Sequence, residues 1–260
     1  METHAHHLHK APGKNFWHYF FEFFMLFLAV FCGFLAENTR EHFIEKHKEK
    51  EYMMEVVENI KYDTTRINRN YRANQELFLG MDSLREELKQ AINGHIDGNK
   101  LYYLEKKYAS QYNEVVFNTS AITELKNSGS LRLIRNKKLV EDIADYYERR
   151  ISAVLGYIPS TNSSEKLKTD LNEYFSWLYF DDYIKTADSL QFQELYNYNE
   201  ILSRNPALQL LKSKPEDLLR LYNIISQREY NLKAYCYFMI WARGPAIKLI
   251  NDIKNEYHLE

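Results

Sequence analysis

The chain has 260 residues, a formal net charge of -2 and 45% hydrophobic residues, enough apolar material for one moderate domain or two small ones. The near-neutral charge excludes the globally basic surface that binds nucleic acid, so we expect no nucleic-acid partner. Only 8 residues are Gly and 5 are Pro. Turns must therefore be few and elements long, which favours an all-α fold.

The first predicted element is a transmembrane helix over residues 16–36, preceded by a tail at 1–15. In FWHYFFEFFMLFLAVFCGFLA only His18 and Glu22 are strongly polar. About 20 residues rising about 1.5 Å each span a bilayer core of about 30 Å. A cleaved signal peptide is the main alternative, but it has a shorter apolar region and needs a small residue where Phe34 stands.

Glu22 is an acidic residue inside this apolar helix, and it allows two interpretations. A shallow carboxylate could reach the headgroup region, with His18 four residues earlier on the same face. Alternatively, it belongs to a helix-association face, because steps of three and four place a stripe of residues on one side of the helix. The members of this stripe are Glu22, Met25, Ala29, Gly33 and Ala36. Its small residues would let a second copy, or another membrane protein, approach closely.

A long juxtamembrane helix is predicted over residues 37–92. Apolar residues recur at alternating steps of four and three from Met53 to Met81, a heptad-like pattern typical of coiled coils. Some members are polar, among them Asn74. The stripe therefore predicts either an oligomeric stalk or a helix that packs on the protein's own domain. The helix should end near Gln90, at the stop signals in NGHIDGN.

Residues 100–260 are predicted to form a helical domain that packs on the long helix. Its helices are expected from Lys100 to about Asn127, from the N-cap Asn136, from about Glu165 to Ile184, and from Pro215 onward. Gly129 should close the first of these, and Gly244-Pro245 should kink or break the last. The core is expected to include Leu125, Leu133, Ile134, Ile143, Tyr147, Phe238 and Trp241.

Two segments resemble an uncharacterised family of single-pass bacterial membrane proteins. FFEFFMLFLAVFCGFLAENTREHFIEKHKEKEYMMEVVENIKYD is similar to that family's opening, a membrane helix with an early Glu followed by a Lys/Glu-rich helix. AITELKNSGSLRLIRNKKLVEDIADYYE resembles its central segment in the S-G, L-x-L-I-x-N and Y-Y patterns. The resemblance covers roughly residues 20–150 and implies a location in the cell envelope, but no known activity.

The charges that flank the membrane helix do not agree on its orientation. Counting only Lys and Arg favours a cytoplasmic C-terminal domain, because Arg40 and several lysines follow the helix. The short basic tail with Lys10 and Lys14, together with the resemblance, favours a cytoplasmic N-terminus. We expect the second arrangement, with the large domain in the periplasm and the helix in the inner membrane.

No catalytic, cofactor-binding or metal site is predicted. The sequence contains no P-loop, GxGxxG, HExxH, GxSxG or CxxC motif, each of which carries a known chemistry. The histidines of THAHHLHK could bind zinc or copper, but a terminal tail lacks the surrounding groups that fix ligands. Asp181 and Asp182 are neighbours and do not face each other on a helix. The cations of LRLIRNKK could contact phosphate or anionic lipid, but a solvated helix start is the commoner explanation.

These features predict a non-enzymatic, membrane-anchored interaction or scaffold protein of the bacterial cell envelope. The expected partners are the lipid bilayer and, through the transmembrane and stalk helices, a second copy or another membrane protein. The alternative is a helical ligand-binding sensor domain that signals through a separate membrane partner. An enzyme would need a pocket with convergent acids or a nucleophile.

Overall fold

The computed structural model describes residues 16–111, 113–157, 162–180 and 208–259. Within these ranges the regular elements are all helical, which confirms the all-α prediction. The α-helices are α1 (Phe16–Ile92), α2 (Gly98–Leu104), α3 (Ser120–Asn127), α4 (Lys137–Ala144), α5 (Ile151–Gly156), α6 (Asn162–Asn172) and α7 (Pro215–Tyr257). Two π-helical turns extend α2 and join α4 to α5, at Glu105–Ala109 and Asp145–Arg150. Two 3-10 turns cover Ser130–Leu133 and Trp177–Phe180.

The chain divides into two compact units, Met1–Glu51 and Tyr52–Glu260. The described part of the first unit is the N-terminal stretch of α1. In the second unit, the shorter helices pack against the remaining stretch of α1 and the long helix α7.

The second unit contains two hydrophobic cores that follow each other along α1. The first core joins α1 between Met53 and Ile60 to α3, α4, α5 and the last turns of α7. The second core joins α1 between Ile67 and Ala91 to α2, α6 and the preceding part of α7. The heptad-like stripe therefore lies on the face of α1 that packs on the protein's own domain, which is one of the two predicted alternatives.

Of the expected core residues, four are members of the first core, and Phe238 packs against the second. Those that are buried are Leu125, Ile134, Ile143 and Tyr147. Those that are half-buried are Leu133, Phe238 and Trp241. Phe238 also stacks on Tyr157, with the ring centroids 4.4 Å apart.

The helix ends follow local signals in the sequence. Ile92 ends α1, and Gly94 behind it has a φ of 96°, which a glycine adopts without strain. Gly129, after α3, has a φ of 68°. Asn136 caps α4, because its side chain accepts a hydrogen bond of 3.2 Å from the backbone N–H of Leu139. Pro215 begins α7, as predicted.

Two predicted helices are wrong in part. The helix expected from Lys100 to Asn127 is interrupted, because residues 113–119 have no regular structure. Their backbone groups bond instead to side chains from other helices. The helix expected from Glu165 to Ile184 ends at Asn172. The chain turns there because Tyr174 and Phe175 are buried in the second core, and Ile184 lies outside the described residues.

A kink or a break was predicted at Gly244-Pro245; the break does not occur, and α7 continues through these residues. Proline has no N–H, so the carbonyl of Trp241 four residues earlier loses its helical donor. Arg150 replaces that donor: its Nη1 donates to the Trp241 carbonyl at 3.2 Å. Its guanidinium carbon lies 4.2 Å from the Trp241 ring centroid, and its Nε donates to Asp145 at 2.6 Å. A side chain from the π-helical turn thus completes the hydrogen bonding of α7.

Candidate functional site

The residues predicted to mediate helix association lie on an open face of the first unit. Glu22, Ala29, Gly33 and Ala36 are all solvent-exposed. They share one side of α1, because steps of seven, four and three return to the same face of a helix. A Cβ built on Gly33 would meet no other atom within 4 Å. A partner therefore has room to approach this face closely.

This stretch of α1 is also strongly apolar. Among the described residues, α1 is the one helix long and apolar enough to cross a membrane, and none of its most apolar window is buried. Phe16 is 77% exposed and Leu26 67% exposed. A core helix of a soluble protein would bury such side chains, so the exposure indicates a membrane anchor. A signal sequence passes the same test of length and composition.

A second candidate site lies inside the second unit, where α1 presents polar side chains to an irregular segment. We define the strap as residues 113–119. The polar side chains of α1 that bond to the strap are all buried and are Asn59, Asp63, Asn70 and Asn74. Asp63 stands between Ile60 of the first core and Ile67 of the second core. Within this polar layer, Asp63 therefore marks the junction of the two cores along α1.

The polar layer supplies the hydrogen bonds that the strap cannot make to itself. Asn70 donates to the carbonyl of Glu114 at 2.7 Å. Asn74 donates to the carbonyl of Asn113 at 2.9 Å and accepts from its N–H at 2.9 Å. Buried backbone groups without a helix or a sheet need such partners. The side-chain amides of Asn70 and Asn74 thus supply hydrogen bonds of the kind that a neighbouring strand would supply.

The long helix α7 holds the strap from its other side. The hydroxyl of Tyr235 accepts from the backbone N–H of Val115 at 2.9 Å. Arg228 donates to the carbonyl of Gln111, just before the strap, at 3.0 Å. The strap is therefore fixed to both long helices of the second unit.

Asp63 is the acidic member of the polar layer and is 0% exposed. One carboxylate oxygen accepts from the backbone N–H of Asn118 at 2.7 Å, and the other accepts from the hydroxyl of Tyr146 at 2.9 Å. Burial raises the pKa of Asp63 to about 6, although the two hydrogen bonds and the positive charge of Arg66 oppose the shift. A carboxyl with this pKa changes its charge just below neutral pH.

The two tyrosines beside Asp63 stay neutral. Burial and the negative charge of Asp63 both raise the pKa of Tyr146 and that of Tyr147. Their rings meet edge to face, with centroids 5.0 Å apart. Tyr146 therefore donates to Asp63 as a neutral phenol. Neither of the two hydrogen bonds that the Asp63 carboxylate accepts comes from a cation.

Glu229 on α7 is also a buried carboxylate, but its hydrogen-bond donors are cations. Arg85 donates to one of its oxygens at 2.6 Å, and Lys233 pairs with the other. Burial alone would raise the pKa of Glu229, but the hydrogen bonds from Lys233 and Arg85 hold it below its usual value. Glu229 therefore remains charged where Asp63 titrates.

A surface cleft of about 410 Å³ lies between α4, the π-helical turn after it, and α7. Tyr146, Arg150, Gly244 and Pro245 line it, so the cleft reaches the residue that donates to Asp63. On its rim Lys138 pairs with Asp142 at 2.8 Å. Within the part of the chain that the structure describes, no group of three or more His, Cys, Asp or Glu could hold a metal ion.

The polar layer was not predicted as a site, although the sequence carries a signal for it. The steps from Asn59 to Asp63, Asn70 and Asn74 are four, seven and four, which place these side chains on one face of α1. Asn74 is also a polar member of the heptad-like stripe. The basic group of LRLIRNKK is a solvated helix start in which Arg132 and Lys137 are exposed. The tail histidines and the pair Asp181 and Asp182 lie outside the described residues.

Comparison with protein-family models, with curated proteins and with solved structures finds no match to this chain. No relative therefore supplies a residue role or a ligand for it.

Proposed function

We propose that the protein is a non-enzymatic, membrane-anchored interaction or scaffold protein of the bacterial cell envelope. The observation that carries the proposal is the exposed apolar stretch of α1, with its open face at Gly33. So large an apolar surface is stable in a bilayer and unfavourable in water. The same helix continues into the second unit, where other helices pack on it. Partner contacts in the membrane would therefore be made by the helix that organises the domain.

The association face combines small residues with one acid. Ala29, Gly33 and Ala36 allow two helix backbones to approach closely, and such contacts rely on van der Waals packing rather than on the hydrophobic effect. Glu22 at one end of the face adds a polar group that gains from a partner inside the membrane. The partner is a second copy of this chain or another membrane protein with a small-residue face.

The experiment that tests this proposal is crosslinking and affinity recovery of the full chain from membranes. Gly33→Leu should reduce recovery of the partner, because the larger side chain holds the backbones apart. Phe27→Leu, off the association face, is the matched control and should leave recovery unchanged. Equal recovery from the two variants would mean that this face contacts only lipid.

For the location we propose the inner membrane, with the N-terminal tail in the cytoplasm and the second unit in the periplasm. The short basic tail with Lys10 and Lys14 supports this orientation. Alkaline phosphatase fused after Glu260 should then be active, because the enzyme needs the periplasm. An inactive phosphatase, combined with a bright fluorescent-protein fusion at the same point, would reverse the orientation.

A second candidate function is a helical ligand-binding sensor that signals through a separate membrane partner. The observation that favours it is the cleft of about 410 Å³ beside Pro245, which is within the size range of small-molecule sites. A small ligand that raises the melting temperature of the wild type would support this function. Lys248→Ala, on the rim of the cleft, should then weaken the effect of the ligand.

A further inference from the structure

Asp63 connects three parts of the second unit through one carboxylate. Its backbone belongs to α1, its Oδ1 accepts from Asn118 of the strap, and its Oδ2 accepts from Tyr146 in the π-helical turn between α4 and α5. It stands where the first core gives way to the second core. A change at this carboxylate therefore acts on the strap, on the turn and on the junction of the two cores at once.

The groups that face Asp63 leave its negative charge weakly compensated. From the strap comes the backbone N–H of Asn118, and from the π-helical turn come the neutral phenols of Tyr146 and Tyr147. The charged neighbour is Arg66 on α1, whose guanidinium carbon lies 4.5 Å from the ring centroid of Tyr62. The hydrogen-bond donors of Asp63 are thus neutral, whereas those of the buried Glu229 are cations.

We propose that Asp63 is a proton-operated latch that holds the strap and Tyr146 against α1 more firmly when its carboxyl is protonated than when it is ionised. The physical reason is hydration. We call the junction open when the strap and Tyr146 have moved away from α1, which exposes the Asp63 carboxyl to water. The ionised carboxylate gains far more free energy from hydration than the neutral carboxyl does. Ionisation therefore favours the open junction, and protonation favours the closed one.

The pKa of Asp63 sets the window in which the latch works. The pKa rises from 3.8 in water to about 6 in the closed junction. The stability that protonation contributes is fully present below the lower value and is lost as the pH rises through the upper one. Tyr146 also lines the open cleft, so solvent lies close to the junction. Acidification around the second unit should therefore close the junction, whichever side of the membrane the unit occupies.

Hydrogen–deuterium exchange of the full chain in lipid nanodiscs tests the latch. After correction for the intrinsic rates, we expect the backbone amides of Val115 and Asn118 to be about tenfold better protected at pH 5 than at pH 7. In Asp63→Asn the carboxyl is gone and its shape is kept, so protection should be the same at both pH values. Glu55→Gln, at an exposed position on α1, is the matched control and should retain the wild-type dependence.

A second variant keeps the test decisive if Asp63→Asn does not fold. Tyr146→Phe removes a hydrogen bond that lowers the pKa of Asp63, so the change in protection should move to higher pH. Wild-type protection that is independent of pH between 5 and 7 would overturn the proposal. So would an unchanged dependence in Asp63→Asn, or a window that does not move in Tyr146→Phe.

Discussion

The two stretches of α1 on either side of Glu51 both carry large apolar residues and present them to opposite surroundings. Leu26 in the first stretch is 67% exposed, whereas Leu84 in the second is 0% exposed. One acid from each stretch shows the same contrast: Glu22 is on the surface, and Asp63 is enclosed by the strap and Tyr146. A leucine or an acid in the same helical conformation therefore has different surroundings in the two stretches.

The two stretches of α1 therefore have different roles. The second stretch stabilises the fold, because its apolar face is covered by α7 and the shorter helices. The first stretch contributes nothing to either core of the second unit, since the members of both cores begin at Met53. Its apolar surface is available to lipid or to a partner. Substitutions in the two stretches should therefore change different measurable properties.

The largest contrast should come from truncating one leucine in each stretch. Leu84→Ala should lower the free energy of unfolding of the second unit by about 2 to 5 kcal/mol, because it leaves a cavity in the second core. Leu26→Ala, the matched control, should leave that free energy unchanged. Denaturant unfolding in detergent micelles, followed by circular dichroism, measures both. Equal destabilisation would mean that the first stretch is also part of the folded core.

Replacing a glycine should likewise destabilise the second unit when the glycine lies in the second stretch of α1, but not when it lies in the first. A Cβ on Gly80 would lie 2.0 Å from the Cγ atom of Tyr108, so Gly80→Ala should destabilise the second unit by about 1 to 3 kcal/mol despite its better helix propensity. Gly33→Ala should have no such cost, since nothing lies within 4 Å of its Cβ. Melting temperatures of the two variants provide the comparison. A stabilised Gly80→Ala variant would contradict the close packing of Tyr108.

The acids of the two stretches should differ in their effect on pH dependence. Because the pKa of Asp63 is raised to about 6, the wild-type second unit should gain about 1 kcal/mol of stability from this group between pH 7 and pH 5. Asp63→Asn should remove this gain, and Glu22→Gln should keep it. Unfolding curves at several pH values measure the difference. A gain that survives in Asp63→Asn would assign the titration to another group.

The smallest effect should be that of Glu22→Gln on association in the membrane. Interhelical polar contacts contribute about 0.6 to 2 kcal/mol, and the amide keeps the size of the side chain. Gly33→Leu should weaken association more, because it removes the close approach of the backbones. A membrane two-hybrid assay ranks the two variants. Neither should shift the melting temperature of the second unit, which would separate association from folding.

The features that the sequence determined by itself are local. The apolar residues 16–36 predict a membrane-length helix by composition alone, and the scarcity of Gly and Pro predicts an all-α protein. Asn136 caps α4 and Gly129 ends α3 because each acts on backbone groups within a few residues of itself. Such signals require only the chain next to them, so they can be read without knowledge of the fold.

Tertiary structure decided the features whose partners lie far away in the chain. Residues 113–119 have no helix because α1 and α7 provide their hydrogen bonds. The helix α7 continues through Pro245 because Arg150, 91 residues before Trp241, supplies the missing donor. Asp63 is buried because Tyr146, 83 residues later, closes over it. A buried polar group is stable only where its partner reaches it, and that requires the whole second unit to be folded.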